Sequence, residues 1–506
     1  MESPLYDKLV GMSFYHALDR IYRFAPRDLN PQNKRLIRPF VVELDAMQQA
    51  AFKELWVILR LAGPLIASQM AHMLMVFTDT VMMGKIGPEA LAGGGLGAAT
   101  YSFVSFFCVG VMAAVGTLVS IRHGAGDAVG ATRLTQAGLW LAWGMALIAA
   151  LLLWNVGPIL LRFGQDEANV HMATQFLSTL PLALPGLLSF MALRGFTSAL
   201  GRAGPVMTIS LIGAVANYGL NYAMIHNWFG LPNLGLMGIG LITALVTNCM
   251  ALALALHIHR HPAYAAYPIH KGLGQLSRSH LAELWRLGLP IGGTYAVEVG
   301  LFTFAAFCMG AMGSTQMAAH QIAIQSVSMA FMIPVGISYA VTMRIGLHYG
   351  AGNPLMVRTA GRVGIAFGGA VMLMFGLLFW LAPHQIIGLF LDVKDPKFAE
   401  IVVLAVQLLA IAAWFELFDG VQTIAMGAIR GLKDAKTTFL IGLGCYWLIA
   451  APAAWLLGFA ADMSAPGVWW GLALGLCCAA GALTWAFEYK AARLLRKVPV
   501  RETVSA

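Results

Sequence analysis

Twelve long apolar segments, separated by short polar loops, constrain the fold of this 506-residue chain more than any other feature. A helix needs roughly 20 mostly apolar residues to cross a bilayer, and every segment reaches that length. Charged residues make up only 11% of the chain, whereas soluble domains carry about 25%. The sequence therefore predicts an all-α membrane protein of twelve transmembrane helices. The predicted spans are residues 55–83, 89–121, 133–161, 168–194, 205–227, 236–258, 281–312, 316–347, 359–391, 398–430, 437–460 and 467–490.

The Lys and Arg residues predict the orientation of these spans, because basic residues collect in cytoplasmic loops. With a cytoplasmic N-terminus, 28 of the 32 Lys and Arg residues fall on the cytoplasmic side. We therefore expect both termini in the cytoplasm, the chain in the cell inner (plasma) membrane, and anionic lipids beside the basic loops. The net charge of +9 comes from these loops, so nucleic acid is not expected as a partner. The four basic residues on the opposite side are Lys85, Arg162, Lys394 and Lys397.

Four short stretches recur at an offset of 226 residues, which indicates an internal repeat. The offset joins spans of equal parity, so both halves insert in the same orientation and are related by an axis along the membrane normal. The sequence thus predicts two pseudo-symmetric lobes of six helices, a design in which secondary transporters place the binding site between the halves. The matching stretches are Pro64 with Pro290, MGKIGPEALA (83–92) with MGAMGSTQMA (309–318), VGVMAAV (109–115) with VGISYAV (335–341), and HGAGD (123–127) with YGAGN (349–353).

The predicted domain boundaries follow from the spans and the repeat. Residues 1–52 form a cytoplasmic N-terminal extension. Within it, FYHALDRIYRF (14–24) is either an interfacial amphipathic helix or part of a disordered tail. The other predicted regions are the N-lobe (53–260), a cytoplasmic linker (261–280), the C-lobe (281–492) and a cytoplasmic tail (493–506).

Four acidic residues lie in the middle of predicted spans: Asp79, Glu298, Glu416 and Asp419. A charge at the bilayer centre costs roughly 2.5–3.5 kcal/mol or more, so such residues normally face a partner or a water-filled cavity. We expect no Lys or Arg in the middle of a span to neutralise them, so mobile cations, either protons or metal ions, have to do so. The alternative is that each acid is a buried, protonated or hydrogen-bonded carboxyl that holds helices together.

The acids are distributed asymmetrically over the predicted symmetric fold. His72 and Glu298 occupy equivalent positions in the repeat, whereas Asp79 corresponds to Ala305. Each lobe is therefore expected to have a titratable site of its own.

Asn217 and Asn221 lie one helical turn apart on one face of the fifth predicted span. Their carboxamide oxygens either coordinate a cation or hold a proton-bearing carboxyl, or else their side chains only hydrogen-bond neighbouring helices. Thr243 in the sixth span has the same alternatives. Further candidates to line a polar cavity are Gln69, Gln325, Gln407 and Gln422.

Sequence motifs of ATP-driven pumps and hydrolases are absent. The chain contains no phosphate-binding Walker A sequence, no GxSxG elbow and no HExxH zinc motif. We therefore expect that it is not an enzyme and that it needs no cofactor.

Four motifs give the sequence a resemblance to the MATE (multidrug and toxic compound extrusion) family of transporters, in particular to its NorM-like branch. The resemblance extends over about residues 53–490, and the four motifs together are specific, although each alone is weak. The motifs are VFTDTVMMG (76–84), ANYGLNY (216–222), RLGLPIGGTYAVEVGLF (286–302) and FDGVQTIAMGAIRGLKDA (418–435).

The resemblance implies a V-shaped antiporter of two six-helix lobes. Such a protein exports organic cations or amphiphilic drugs while protons or sodium ions enter. It implies that the first span bends at Pro64 and that each lobe holds a coupling site. The implied N-lobe site consists of Asp79, Asn217, Asn221 and Thr243, and the implied C-lobe site of Glu298 and Asp419.

One departure from the family pattern concerns the C-lobe site. Some NorM-like proteins have a tyrosine one turn before the aspartate of the tenth span, where this chain has Phe415, followed by Glu416. The change removes a sodium ligand that the resemblance carries over, and it favours the proton as coupling ion. Sodium stays a candidate ion at Glu298, Asp419 or Asp79, with Glu416 as an added acid of the C-lobe site. His72, Pro64 and Phe415 are candidates for cavity-lining or conformational roles, and a monomer is expected.

The main alternative is a flippase for a lipid-linked precursor, which has a related repeat fold. It would need several cationic residues in its cavity to bind pyrophosphate, whereas the candidates here are acidic. An ion channel fits poorly with a two-lobe repeat, and a membrane-embedded transferase would carry its acids at the membrane edge.

Overall fold

The computed structural model describes residues 31–228, 234–272 and 277–497 of the chain. All regular secondary structure in these described ranges is helical. The predicted amphipathic segment 14–24 lies outside them.

The chain divides into two units, Met1–Lys53 and Glu54–Ala506. Twelve long helices, α1 to α12, account for most of the described residues. Helix α4 contains a 3₁₀ turn at Leu180–Ala183, and α11 contains two π-helical stretches. The helices are α1 Pro31–Ile86, α2 Pro88–Gly124, α3 Ala128–Trp154, α4 Glu167–Ala199, α5 Gly204–Ile225, α6 Gly235–Arg260, α7 Arg278–Met312, α8 Ser314–Gly350, α9 Pro354–Leu381, α10 Ala399–Gly431, α11 Ala435–Ala460 and α12 Ser464–Lys497.

Eleven helices within the described ranges are long and apolar enough to cross a membrane. Helix α5 is the twelfth. Its 22 residues suffice for a span, but Asn217 and Asn221 lower its mean hydropathy. The predicted all-α fold of twelve helices is confirmed, while the predicted domain boundaries stay a prediction.

Two predicted spans, the third and the ninth, are too long at their C-terminal ends. Helix α3 ends at Trp154 and α9 ends at Leu381, and a short separate helix follows each. Pro158 and Pro383 stand at the start of these short helices. Proline suits a helix start, because its fixed φ is helical and a backbone N–H at that position would have no hydrogen-bond partner within the helix. The short helices are Gly157–Arg162 and Pro383–Ile387.

The repeated HGAGD and YGAGN stretches each end one helix and begin the next. Gly126 and Gly352 adopt left-handed backbone conformations, with φ of 74° and 68°, which glycine takes without strain. Asp127 and Asn353 then cap the following helices, because each side-chain oxygen accepts a backbone N–H three residues ahead, at 2.7 and 3.2 Å. The repeat therefore specifies the same turn in both lobes.

The first glycine of each stretch lies where the two lobes, α1–α6 and α7–α12, meet. A methyl group at Gly124 would collide with the backbone carbonyl of Leu347, and one at Gly350 would collide with that of Ile121. Gly124 is equivalent to Gly350 in the repeat, and Ile121 is equivalent to Leu347, so the two contacts are copies of each other. We call this end of the lobes the Gly124 end.

Reciprocal packing continues along the helices. Gly110 of α2 packs on Gly292 of α7, and its equivalent Gly336 of α8 packs on Ile66 of α1, which is itself equivalent to Gly292. Gly110 lies 14 residues before Gly124, or about 21 Å along the helix at 1.5 Å per residue. The lobe contact thus extends from the Gly124 end towards the middle of the helices.

Ser120 of α2 contacts Gly346 of α8, which is its own counterpart in the repeat. Only residues beside a twofold axis can contact their own counterparts. The axis therefore passes between α2 and α8, and the predicted pseudo-symmetry of the lobes is confirmed.

Ion pairs also join the lobes at the Gly124 end. Glu54 of α1, which is 2% exposed, accepts two hydrogen bonds of 2.7 Å from the Arg344 guanidinium of α8. His348 lies 3.3 Å from the same carboxylate. Across the axis, Glu283 of α7 accepts a 3.4 Å hydrogen bond from Arg122 of α2. Each lobe therefore offers a glutamate on its first helix to a basic residue on the second helix of the other lobe.

Candidate functional site

Asp79 of α1 lies at the centre of a polar cluster in the N-lobe. Its Oδ1 accepts a 3.1 Å hydrogen bond from Asn221 Nδ2, and its Oδ2 accepts a 2.7 Å hydrogen bond from Thr243 Oγ1. Asn217 Nδ2 donates to Thr243 Oγ1 at 3.1 Å. The structure thus brings together all four residues predicted for the N-lobe site, while their role in coupling stays a prediction.

Two oxygens of this cluster lack partners. Oδ1 of Asn217 and Oδ1 of Asn221 are buried, and neither has a hydrogen-bond partner in the described part of the chain. Both asparagines are fully buried, and Asp79 is 8% exposed. Unpaired buried oxygens beside a carboxylate are unfavourable. Together they form an oxygen-rich set that suits a hard cation or the proton of a carboxyl group.

The sequence places these groups through the helical period and the packing of three helices. Residues four apart share a helix face, so Asn217 and Asn221 both point from α5 towards the same neighbours. Helix α5 packs along α6, which carries Thr243. A hydrogen bond of 2.7 Å between Ser68 Oγ and Ser210 Oγ joins α1 to α5 a few turns nearer the Gly124 end. Helix α1 is therefore held against α5 at two levels.

His72 and Pro64 lie apart from the Asp79 cluster. His72 lines a separate cavity in the N-lobe with Ser68, Ser210 and Arg194. Pro64 lies inside α1, which is helical on both sides of it. The predicted cavity-lining or conformational roles of His72 and Pro64 stay predictions.

Asp419 of α10 begins a chain of hydrogen bonds in the C-lobe. Gln422 Nε2 donates to Asp419 Oδ1 at 2.8 Å, and the Tyr446 hydroxyl donates to Gln422 Oε1 at 2.9 Å. All three side chains are buried. Glu298 of α7 lines a cavity together with Thr423 of α10, which follows Asp419 by one helical turn. The structure thus places the two predicted C-lobe acids in one region.

Glu416 and Phe415 lie beside this chain. Glu416 is fully buried, and neither carboxylate oxygen has a hydrogen-bond partner in the described ranges. The Phe415 ring packs between Phe302 and Trp469, with ring centroids 6.1 and 5.5 Å away. Phe415 therefore fills apolar space and offers no ligand, whereas the unpaired carboxyl of Glu416 can hold a proton or a cation.

The expectation that no fixed positive charge lies near the acids is wrong for the C-lobe. Arg430 of α10 is 8% exposed and lines a cavity together with Glu298. In the N-lobe, α4 continues beyond its predicted end to Ala199, so Arg194 lies inside the protein and is 4% exposed. Asp79, by contrast, forms no ion pair with any described residue.

Three buried polar residues of these sites were not predicted: Arg194, Arg430 and Tyr446. The two arginines had a signal in the sequence, because an Arg-Gly pair recurs in the fourth and tenth spans, at residues 194–195 and 430–431. Tyr446 had none, since a lone tyrosine in an apolar segment does not reveal which helix face it occupies.

The described residues contain no group of three or more His, Cys, Asp or Glu side chains that could hold a metal ion. A cation bound at Asp79 would therefore need oxygens of Asn217, Asn221 and Thr243 as well. Such neutral oxygens, combined with one carboxylate, suit a hard monovalent cation better than a transition metal. The predicted sodium site at Asp79 thus fits the residues present.

Comparisons with known proteins agree on one family. A model of the MatE family matches residues 64–223 and 290–456, one stretch in each lobe. A protein of Pseudomonas syringae pv. tomato, named "Probable multidrug resistance protein NorM", is 86% identical over 458 residues, which cover 90% of this chain and 100% of the relative. A protein of Pseudomonas aeruginosa with the same name is 63% identical over 456 residues, which cover 90% of this chain and 93% of the relative.

Solved structures share the fold. The crystal structure of a eukaryotic MATE transporter has a TM-score of 0.78 at 22% identity and covers 88% of this chain and 99% of that one. The outward-facing conformation of a multidrug resistance MATE family transporter has a TM-score of 0.79 at 19% identity, with 88% and 97% covered. At such identities the likeness shows the fold alone.

Proposed function

Because the chain belongs to the MATE family, we propose that it is a secondary active antiporter that exports organic cations and amphiphilic drugs in exchange for protons or sodium ions. The multidrug resistance proteins to which it is 86% and 63% identical support drug efflux. We place it in the cell inner membrane as a monomer without a cofactor, with both termini in the cytoplasm and anionic lipids around its basic loops.

The Asp79 cluster is the observation that carries this proposal. A buried carboxylate accepts only neutral hydrogen bonds from Asn221 and Thr243, and two asparagine oxygens beside it are unpaired. The cluster therefore lacks one positive charge. A proton or a sodium ion would supply that charge, and its arrival and departure would change the electrostatics of the N-lobe.

The lobe contact supports alternating access. The lobes pack together from the Gly124 end to Gly110, and the basic-residue pattern puts that end at the cytoplasmic face. The described contact thus closes the cytoplasmic side. Export then requires a second state in which these contacts separate and substrate enters from the cytoplasm.

Coupling needs no direct contact between drug and ion. It is sufficient that the two ligands favour opposite states of the lobes. In the proposed cycle, an organic cation binds between the lobes and is carried outward. An external proton or sodium ion then neutralises Asp79 or the Glu298 and Asp419 pair. Drug affinity falls, the drug leaves, and the ion-loaded protein returns.

The buried arginines bear on the flippase alternative, which calls for cationic residues in the cavity. Arg194 and Arg430 line different cavities, and Arg430 shares its cavity with Glu298. Two guanidinium groups, one of them in a cavity that also holds an acid, are fewer cationic groups than a pyrophosphate site calls for. Drug antiport therefore remains the function that we propose.

Transport of the fluorescent cation ethidium into proteoliposomes tests the proposal. The full chain is reconstituted, and proton and sodium gradients are imposed separately. We expect one of the gradients to drive ethidium transport. Asp79→Asn, and separately Glu298→Gln with Asp419→Asn, should abolish the driven transport, because neither variant can gain and lose the charge.

The matched control is Glu488→Gln. Glu488 is also a C-lobe acid, but it pairs with Arg358 and Arg362 away from the Asp419 region. This variant should transport ethidium as the parent does. Gradient-driven transport at the parental rate by Asp79→Asn and by the C-lobe pair would show that these carboxyl groups do not couple the ion.

A further inference from the structure

Two histidine side chains meet at the end of α6, outside the coupling sites. His259 lies in the last turn of that helix, and His270 lies in the stretch that connects α6 to α7. Their Nδ1 atoms are 3.3 Å apart, and their ring centroids are 4.5 Å apart with the rings nearly perpendicular, at 86°. Both residues are exposed. Two imidazole nitrogens therefore meet where water and dissolved ions can reach them.

The backbone on both sides of His270 is held by the N-lobe. Gln136 of α3 is buried, and its Nε2 donates two hydrogen bonds of 2.8 Å, one to the carbonyl of Ile269 and one to that of Lys271. The histidine between these two residues is thus carried on anchored backbone. Its partner His259 is carried on a regular helix.

Two tyrosines dock the same connection on the N-lobe. The Tyr267 hydroxyl lies 2.9 Å from Nδ1 of His123, the residue before Gly124. Tyr264 is 3% exposed, and its ring centroid lies 5.9 Å from that of Phe196 on α4. A ligand group on an anchored backbone loses little conformational freedom when it binds, which favours binding. The connection therefore presents its histidine from a preorganised position at the Gly124 end.

The separation of the two nitrogens matches that of two ligands on one metal ion. Zn²⁺ binds imidazole at about 2.0–2.1 Å, and tetrahedral geometry then places two ligand nitrogens about 3.3–3.4 Å apart. The Nδ1 atoms of His259 and His270 are 3.3 Å apart. The alternative is a hydrogen bond between the rings, in which one Nδ1 donates and the other accepts. A metal ion requires both Nδ1 atoms without a proton, so the two arrangements respond differently to added metal.

The chemistry of the pair selects a class of ion. Imidazole nitrogen suits Zn²⁺, Ni²⁺ and Cu²⁺, whereas Mg²⁺ and Ca²⁺ prefer oxygen. The described part of the chain offers no third His, Cys, Asp or Glu to complete the set, so water would take the remaining positions and the ion would exchange readily. Arg260 and Lys271 adjoin the pair in sequence, but both are exposed, so solvent and salt weaken their repulsion of a cation.

From this geometry we propose that His259 and His270 form a binding site for a divalent transition metal ion of the class of Zn²⁺, Ni²⁺ and Cu²⁺. One ion bound to both rings would fasten the connection to the end of α6. Because the connection joins the two lobes, bound metal would restrain the N-lobe side of that joint. The site lies apart from the coupling residues, and it does not depend on the drug antiport proposed above.

Titration of the purified full chain with Zn²⁺ tests the site. The protein carries no polyhistidine tag, and isothermal titration calorimetry gives the Kd. His259→Ala and His270→Ala should each weaken binding about a hundredfold, because linking two binding groups raises affinity by about 10²–10⁴-fold. Cu²⁺ in place of Zn²⁺ allows the ligands to be counted, since pulsed electron paramagnetic resonance detects each bound imidazole. We expect two imidazoles in the parent and one in either variant.

Two further variants are the controls. His384→Ala removes an exposed histidine of the C-lobe. His261→Asn breaks the neighbouring pair of His257 and His261, whose ring centroids lie 5.2 Å apart, while it keeps a side-chain acceptor for the N–H of Ala263. Both variants should bind Zn²⁺ with the parental Kd.

Hydrogen exchange tests whether the metal fastens the connection. With Zn²⁺ at about 100 times its Kd, the amides of residues 261–272 should exchange up to about a hundredfold more slowly in the parent, because the ion stabilises the bound form by that factor. The same addition should leave their exchange unchanged in His270→Ala.

Several outcomes would overturn the proposal. Parental Zn²⁺ binding by both His259→Ala and His270→Ala would remove the metal site, as would fewer than two imidazoles on Cu²⁺ in the parent. Loss of binding in His261→Asn but not in His270→Ala would assign the ion to the other histidine pair. Unchanged hydrogen exchange in the metal-bound parent would refute the fastening. None of these measurements involves a substrate or a gradient, so their outcome is independent of the ethidium transport assay.

Discussion

Replacement of Glu54 by glutamine is the sharpest test of whether the Gly124 end is a gate. Glu54→Gln keeps the size of the side chain but removes the charge that the Arg344 guanidinium contacts through two hydrogen bonds of 2.7 Å. It leaves Arg344 and His348 in place without their acidic partner. Because Glu54 and Arg344 belong to different lobes, the loss falls only on the state in which the lobes are in contact.

The size of the effect follows from burial. Removing one partner of a buried ion pair costs about 3–5 kcal/mol. Glu54 is 2% exposed, but the Arg344 side chain keeps 18% of its surface exposed, so part of its charge can be solvated. We therefore take about 3 kcal/mol, the lower end of that range. Since about 1.4 kcal/mol corresponds to a tenfold change in an equilibrium constant, the closed state should lose roughly a hundredfold in population relative to the separated state.

Electron–electron distance measurements between spin labels can detect this shift. Val129 and Leu355 are suitable label positions, because both are exposed, lie near the Gly124 end, and are equivalent in the repeat. The native cysteines would first be replaced. We expect the parent to show a short distance and Glu54→Gln to add a longer one.

The control is again Glu488→Gln, which breaks ion pairs with Arg358 and Arg362 inside one lobe. It should leave the distance distribution as in the parent. A Glu54→Gln distribution that coincides with that of the parent, or an equal change in Glu488→Gln, would refute the assignment of Glu54 to a gate.

Two further predictions concern stability, measured by unfolding of the purified protein. Gly124→Ala places a methyl group against backbone of the other lobe and should destabilise the closed protein by about 1–3 kcal/mol. Gly144→Ala, where nothing lies within 4 Å, should have no such effect, and equal effects of the two would count against the close contact. At Asp434, burial acts to raise the pKa, but hydrogen bonds, above all from Lys490, outweigh it and hold the pKa below its ordinary value. The Asp434 carboxylate therefore stabilises the folded state above its unfolded pKa, and this contribution is lost as pH falls through the folded pKa. Asp434→Asn should lower stability by up to about 1 kcal/mol at neutral pH and have no effect in acid, whereas a pH-independent difference would contradict the ion pair.

The twelve helices and their pseudo-symmetry were predictable from the sequence, because both depend on features that sequence alone displays. A bilayer requires a fixed length of apolar residues, so the segments could be counted. The offset of 226 residues also relates the HGAGD and YGAGN turns. The equivalence of Gly124 and Gly350 could therefore be predicted. Their reciprocal contact could not, because the offset says nothing about how closely the lobes approach.

The two candidate sites differ in how well the sequence predicted them. The N-lobe residues Asn217 and Asn221 are spaced by one turn, so the helical period alone placed them on a common face. Arg194 was not predicted as a buried residue, because the fourth predicted span ends at residue 194 whereas α4 continues to Ala199. The pairing of Gln422 with Tyr446 joins two helices, and no local pattern encodes which faces of α10 and α11 meet.

The two ion pairs across the pseudo-symmetry axis also differ in their access to water. Their strength should therefore depend differently on salt concentration. The Glu54 side chain is 2% exposed, whereas Arg122 and Glu283 are 38% and 19% exposed. Dissolved ions screen exposed charges over about 8 Å at physiological concentration but reach buried ones far less. Raising the ionic strength should therefore weaken the ion pair between α2 and α7, whereas the ion pair between α1 and α8 should persist. Although the two lobes are similar, they would then separate first between α2 and α7. The salt concentration, and not the pseudo-symmetry, would determine which contact opens first.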